Sequence, residues 1–180
     1  SGEKIVHDPR LIWNTFDVVE KYQGTPIQSK SGHSFIKDTM REHNAVYGGE
    51  MSAHHYFRDF SYCDSGMIPW LLVVSVLSET GQSLSSLVEE MIKKFPCSGE
   101  INFKVADTQI TIQKLFDYFA DQNPTIDKTD GVSLDFGAWR FNVRASNTEP
   151  LLRLNIESRL DQHPKPMQEY VDELTRLIQN

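Results

Sequence analysis

The feature that most constrains the fold is a change of hydrophobic period partway along the chain. Up to about residue 95, short extended apolar pieces alternate with helical stripes. Ile5 and Val6 open a strand ending at His7-Asp8-Pro9-Arg10, and Ile12, Phe16 and Val19 then recur at i, i+4 and i+7. Gly24 stops that helix, and Thr25-Pro26-Ile27-Gln28 starts a second extended piece. Ser31-Gly32-His33 turns into a helix carrying Phe35, Ile36 and Met40, and Ala45-Val46-Tyr47 makes a third strand cut by Gly48-Gly49. This βαβαβ rhythm predicts a parallel sheet with helices on both faces. Two helices should follow the polar, aromatic stretch 52–66. The second carries Leu84, Leu87, Val88, Met91, Ile92 and Phe95 on one stripe, with Ser83 at the N-cap position.

Beyond Pro96-Cys97-Ser98-Gly99 the rhythm differs. After a strand over 101–105 and a helix over 112–119, three runs alternate strictly: Val132/Leu134/Phe136, Trp139/Phe141/Val143 and Leu152/Leu154/Ile156. Period-two alternation describes an antiparallel sheet with one face on a core. Met167, Tyr170, Val171, Leu174, Leu177 and Ile178 form the stripe of a closing helix. The expectation is a three-layer α/β domain with a mostly parallel sheet over 1–98, then a smaller α+β domain with an antiparallel sheet over 99–180.

Composition narrows the function. A formal charge of −7 argues against a broad nucleic-acid surface but leaves room for a local anion pocket. Two cysteines, Cys63 and Cys97, show neither metal spacing nor a disulfide framework, so a reducing cytoplasm is expected. Ser1-Gly2-Glu3-Lys4 carries no secretory h-region, and the apolar run 67–77 is too short for a membrane span, so it reads as a buried helix. Trp13, Trp70 and Trp139 read as core.

Polar groups concentrate at strand ends, beyond which open α/β sheets gather their ligands. Gly48-Gly49-Glu50-Met51-Ser52-Ala53-His54-His55 offers a carboxylate that accepts sugar hydroxyls, a hydroxyl, and imidazoles that move protons or meet anions. The alternative is a glycine-rich turn with surface histidines. Adjacent side chains point apart, so His54-His55 makes a poor metal motif, and no metal ligands are assigned. Lys30 and His33 stand at a second strand end and Arg10 at a third. Asp59 and Asp64 could pair, but charged loop residues are usually solvated, and they receive no chemistry. In the other half, Arg144-Ala145-Ser146-Asn147-Thr148-Glu149-Pro150 brings a guanidinium, hydroxyls, an amide and turned backbone N–H groups into one loop, as a phosphate requires. Glu149 is awkward there, and a polar hairpin turn is the plainer alternative.

Four stretches in this order resemble the α-D-phosphohexomutase superfamily, and within it the bacterial phosphomannomutase branch that feeds GDP-mannose synthesis: HDPRLIWNT (7–15), SKSGHSFIK (29–37), YGGEMSAHHYFRDFSYCDSGMIPWLL (47–72) and WRFNVRASNTEPLLRLNIESR (139–159). GGEMS followed by R-x-S-N-T-x-P is specific to the family, unlike either fragment alone. The resemblance implies the third and fourth domains of a four-domain cytoplasmic isomerase, an intramolecular phosphotransferase that moves phosphate between O6 and O1 of a hexose through a phosphoserine and a hexose 1,6-bisphosphate. It also implies that Glu50 and Ser52 grip sugar hydroxyls with His54 nearby. His33, Lys30 and Arg10 would line the same cleft, and Arg144, Ser146, Asn147 and Thr148 would hold the non-reacting phosphate. Arg10 stands where other members carry lysine, and Ala53 where many carry glycine. The family's T-A-S-H-N-P-like serine loop and its magnesium-binding D-G-D-x-D are absent, and Asp127-Lys128-Thr129-Asp130-Gly131 has the wrong spacing. The chain therefore resembles a C-terminal portion, whose partners are the family's N-terminal domains and a phosphorylated hexose, and which would not turn over alone. A phosphoglucomutase fragment and a non-catalytic phosphosugar-binding module are the alternatives.

Overall fold

Neighbouring residues of the first strand face different helices, and this sets the layering. The computed structural model describes residues 2–146, 149–162 and 164–180. The chain divides into two compact units, Ser1–Ile92 and Lys93–Asn180.

In the first unit β1 (Lys4–His7), α1 (Trp13–Lys21), β2 (Thr25–Gln28), α2 (His33–His43) and β3 (Tyr47–Gly49) follow in order. The first strand, β1, lies between β2 and β3 and pairs parallel with both. Val6 and Gly48 share one sheet face, on which Ile36 and Met40 of α2 pack with Ala45 and Tyr56 into a solvent-free core. Ile5 and Tyr47 occupy the other face, lining an apolar groove of about 620 Å³ with Val18, Val19 and Tyr22 beside α1 and Met91. The three expected parallel strands are present, and the sheet continues through two short antiparallel strands, β4 (His55–Phe57) and β5 (Cys63–Asp64), giving the order β2-β1-β3-β4-β5. Their brevity, three and two residues, hid them from periodicity.

Two helices follow, α3 (Met67–Thr80) and α4 (Leu84–Lys94). The Ser83 Oγ accepts the Ser86 N–H at 3.1 Å, the cap expected from sequence. The expectation of a buried helix over 67–77 is corrected: no residue of α3 is buried, and Trp70 is 57% exposed, whereas Trp13 and Trp139 lie in the interior. Hydropathy registers a demand for cover but not the surface that meets it. No single helix among the described residues is long and apolar enough to cross a membrane.

The second unit contains β6 (Cys97–Phe103), α5 (Thr108–Phe119), β7 (Thr125–Asp127), β8 (Val132–Asp135), β9 (Trp139–Ala145), β10 (Leu152–Ser158) and α6 (Met167–Gln179). All pairings are antiparallel, in the order β6-β10-β9-β8-β7. Asp107 caps α5 by accepting the Gln109 and Ile110 N–H groups. The alternating residues Leu134, Phe141, Val143, Leu152, Leu154 and Ile156 meet Leu115 and Phe119 of α5 and Leu174 and Ile178 of α6. Their polar neighbours on β9 and β10 are buried too, which alternation alone does not foretell. Partners across the sheet compensate: Arg140 donates to Glu157 at 2.6 Å, and the Asn142 amide donates to Ser133 Oγ at 3.0 Å.

A Cβ on Gly48 would stand 2.6 Å from Met40 Sδ and 2.9 Å from Ile36 Cγ2. Gly48→Ala should therefore cost about 1–3 kcal/mol in chemical denaturation through overpacking. Adding Met40→Ala should recover part of that loss, whereas strictly additive penalties would contradict this packing.

Candidate functional site

The carboxyl ends of β1, β2 and β3 are tied together by two buried carboxylates. Asp8 follows β1 and is 3% exposed; its neighbour in the same turn, Arg10, is 4% exposed. One Asp8 oxygen accepts the Arg10 backbone N–H and Nε at 2.9 and 3.1 Å, while the other accepts Arg10 Nη2 at 2.6 Å and the Met51 N–H at 2.8 Å. Burial opposes ionisation of Asp8, but the Arg10 guanidinium and the two backbone N–H groups outweigh it, and the carboxyl is held below its usual range. Arg10, expected as a rim cation, is thus a buried partner of Asp8 that fixes the loop after β3.

Glu50 is the second knot, buried at the end of β3. Its Oε1 accepts the Gly32 N–H at 2.6 Å, and its Oε2 accepts the Tyr56 O–H at 2.8 Å. Burial, reinforced by the adjacent Glu50 carboxylate, raises the Tyr56 phenol far above its ordinary value, so it remains a donor. The carboxylate is anchored from the turn before α2 and from β4, yet keeps a second lone pair on each oxygen for hydroxyl donors. The Glu50 N–H donates to His54 O and the Ala53 N–H to Glu50 O, both at 3.0 Å, closing a tight turn in which Ser52 is exposed. Ala53 has φ +64°, a conformation that costs a side-chain-bearing residue more than glycine. A cavity of about 210 Å³ lies here, lined by His7, Asp8, Leu11, Gly49, Glu50 and Met51.

Beside it, His33 at the start of α2 meets His54 edge to face, ring centroids 4.4 Å apart. His54 Nδ1 lies 2.7 Å from Asp64 Oδ2, and the His55 N–H donates to Asp64 Oδ1 at 2.9 Å. Burial disfavours the Asp64 charge, but the His55 N–H and the His54 and His33 rings prevail, holding its carboxyl below the usual range. Asp64 thus engages Nδ1 of the His54 ring and leaves Nε2 as the other nitrogen this side chain can offer. His55 is engaged with the Tyr47 hydroxyl at 2.6 Å, so the adjacent histidines do part. Asp59 pairs with Arg58 at 3.6 Å, and the Asp59–Asp64 pairing considered from sequence is replaced by separate partners. Lys30 is exposed, its ammonium 5.7 Å from the Phe35 ring centroid.

In the second unit, Arg144 near the end of β9 is 5% exposed, its Nε 3.9 Å from an Asp130 oxygen. Gly131 allows this approach: its φ is +68°, and a Cβ there would collide with Arg144 and the Val143 carbonyl. The Ser146 N–H donates to Leu151 O at 2.8 Å, and its hydroxyl accepts the Glu149 N–H at 3.2 Å. Glu149, awkward beside an anion, accepts Arg153 Nη2 at 2.9 Å. Asn147 and Thr148 lie outside the described residues. Asp127 Oδ1 accepts both the N–H and the O–H of Thr129, and Asp130 faces Arg144, so this turn does not fit the magnesium ion that the family resemblance implies.

Sequence reasoning missed Asp8, Tyr56, Asp64 and Asp130. Only Asp8 left a local signal, an aspartate two residues before an arginine at a strand end.

Two family profiles cover the chain: Phosphoglucomutase/phosphomannomutase, alpha/beta/alpha domain III, matches residues 1–95, and the Phosphoglucomutase/phosphomannomutase C-terminal domain matches 100–174. The chain belongs to the phosphoglucomutase/phosphomannomutase family. It is 62% identical over 160 residues to a protein of Xanthomonas campestris pv. campestris named for phosphohexose mutases, covering 89% of this chain and 36% of that one. A phosphomannomutase of Vibrio cholerae is 56% identical over 178 residues, covering 98% and 38%. A phosphoglucomutase/phosphomannomutase family protein from Burkholderia thailandensis shares the fold, with a TM-score of 0.75 at 24% identity over 99% of this chain and 38% of its own. The chain thus spans little more than a third of the length of these relatives.

Asp8→Asn removes the counter-charge of a buried guanidinium and should cost about 3–5 kcal/mol at neutral pH. Because the folded-state pKa is depressed, this contribution is complete above the unfolded carboxyl value and is lost as pH falls through the folded one. Denaturation free energies of the two proteins should therefore differ by a constant amount above about pH 5 and converge below about pH 4. A gap unchanged in acid would contradict the assignment.

Proposed function

We propose that the chain is the phosphosugar-recognising part of a phosphomannomutase, which interconverts mannose 6-phosphate and mannose 1-phosphate through a phosphoserine and a bisphosphorylated sugar. The observation that carries this reading is Glu50, buried at a strand end and oriented by the Gly32 N–H and the Tyr56 O–H. An acceptor fixed in this way suits hydroxyl donors and repels phosphate.

In this reading residues 1–98 recognise the sugar and residues 99–180 its phosphate. Glu50 and Ser52 take sugar hydroxyls, and His33 and Lys30 supply further polar contacts. His54, its Nδ1 fixed by Asp64, holds or moves a proton at Nε2. Arg10 acts as a positioning residue through Asp8 and Met51. Arg144 and Ser146, with Asn147 and Thr148, bind the phosphate; Asp130 orients the guanidinium, and Arg153 keeps the Glu149 carboxylate occupied.

A mutase that returns its intermediate in the opposite orientation must grip groups common to both, and a carboxylate and a hydroxyl tolerate both geometries. Phosphoryl transfer, with its serine and magnesium, belongs to residues other than these, so the chain alone should not turn over. A cytoplasmic setting accords with soluble phosphosugar substrates. Glucose 1-phosphate is the nearest competing substrate, because mannose and glucose differ only at C2 and the Xanthomonas campestris relative carries the broader phosphohexose name.

Calorimetry with mannose 1-phosphate and with inorganic phosphate tests the roles. Arg144→Ala should weaken binding of both by about 1.5–3 kcal/mol, the range for a charged hydrogen bond. Glu50→Gln should weaken only the sugar phosphate. Equal affinity of Arg144→Ala and the parent, or loss of inorganic phosphate alone in Glu50→Gln, would contradict the roles. Mutase turnover by the chain with a bisphosphate activator would contradict the recognition-only reading.

A further inference from the structure

We infer that His33, His54 and Asp64 form a binding site for a divalent transition-metal ion of the zinc or cobalt type, separate from any magnesium requirement of the family reaction. The three residues come from different elements: His33 opens α2, His54 closes the turn before β4, and Asp64 lies in β5. Each offers one ligand atom, and the three atoms lie within 4.8 Å of one another.

Ligand atoms around a tetrahedral zinc ion stand about 3.4 Å apart, given bonds of about 2.0–2.1 Å. Rotations of exposed side chains cover the difference, and His33 and Asp64 are exposed. The 2.7 Å contact between His54 and Asp64 opens slightly as both turn to the ion. Two imidazoles and one carboxylate form a borderline nitrogen-rich donor set, which favours zinc, cobalt or nickel over magnesium or calcium.

The shell around the ligands is partly built. The His55 N–H holds one Asp64 oxygen at 2.9 Å, and the His33 ring rests edge-on against Tyr56 at 5.3 Å. Three protein ligands leave a fourth position for water or another oxygen donor, the pattern of an exchangeable site rather than a closed structural one. The chain's sequence spacing conceals the trio, because β4–β5 pairing brings Asp64 to His54 and the start of α2 brings His33.

Cobalt(II) titration followed by visible absorption, with zinc(II) calorimetry in parallel and no sugar present, tests this directly and independently of the sugar-binding reading. One equivalent should bind with the visible bands of a low-coordinate nitrogen and oxygen site, and an excess of magnesium should not displace it. His33→Ala, His54→Ala and Asp64→Asn should each weaken binding by at least about tenfold, since even residues behind the ligands of metal sites cost that much. His43→Ala, outside the trio, should leave it intact. Cys63 adjoins Asp64 and is exposed, so Cys63→Ser is the decisive control and should retain the site. His33 is exposed, so His33→Ala should keep the parent's circular dichroism spectrum. Absence of stoichiometric binding, or binding lost in Cys63→Ser and retained in His33→Ala, would overturn the proposal.

Discussion

The Asp8 carboxylate is where the exits of two parallel strands become one rigid surface. It neutralises a buried guanidinium from its own turn and accepts a backbone N–H from the loop after β3. A buried charge is tolerated only when paired and hydrogen-bonded, so each part of this knot depends on the others. Glu50 begins that loop, and its position follows from where Asp8 holds Met51. Gly32 and Tyr56 then orient the carboxylate they meet. The sugar-recognising reading rests on this chain of dependence, which starts from a residue that need not touch a ligand.

The two halves solve opposite electrostatic problems with mirrored devices. In the first unit an acceptor is fixed by donors, with Glu50 between a backbone amide and a phenol. In the second a donor is backed by an acceptor, with Arg144 beside Asp130 and the nearby Glu149 bound by Arg153. Burial strengthens both arrangements, because a low local dielectric magnifies each contact and penalises each omission. The polar face of β9 and β10 follows the same rule, with Arg140 and Glu157 buried together.

Much of the fold was legible because hydrophobic period is a local property. The parallel strands, the alternating runs of β8 to β10, and the stripe Tyr170, Leu174 and Ile178 on α6 could be read directly. The antiparallel pair β4–β5 could not, since strands of two or three residues are too short to carry a period. The exposure of α3 was also hidden, because an apolar sequence does not say what will cover it. Glu50 and Arg144 stood out as charged groups in loops at strand ends. Tyr56 and Asp130 did not, and Asp64 was set aside as a solvated loop carboxylate, because each acts through a partner that tertiary structure supplies. Arg10 was noticed as a cation, but its burial with Asp8 became visible only when both strand exits were seen together.

An amide-resolved NMR titration with mannose 1-phosphate, run beside one with inorganic phosphate, tests the central claim most directly. The Gly32 and Met51 amides, the donors to Glu50 and Asp8, should shift with the sugar phosphate and stay still with inorganic phosphate. Arg144 and Ser146 should respond to both ligands. Gly32 and Met51 unmoved at saturating sugar phosphate would contradict a carbohydrate site at these strand ends.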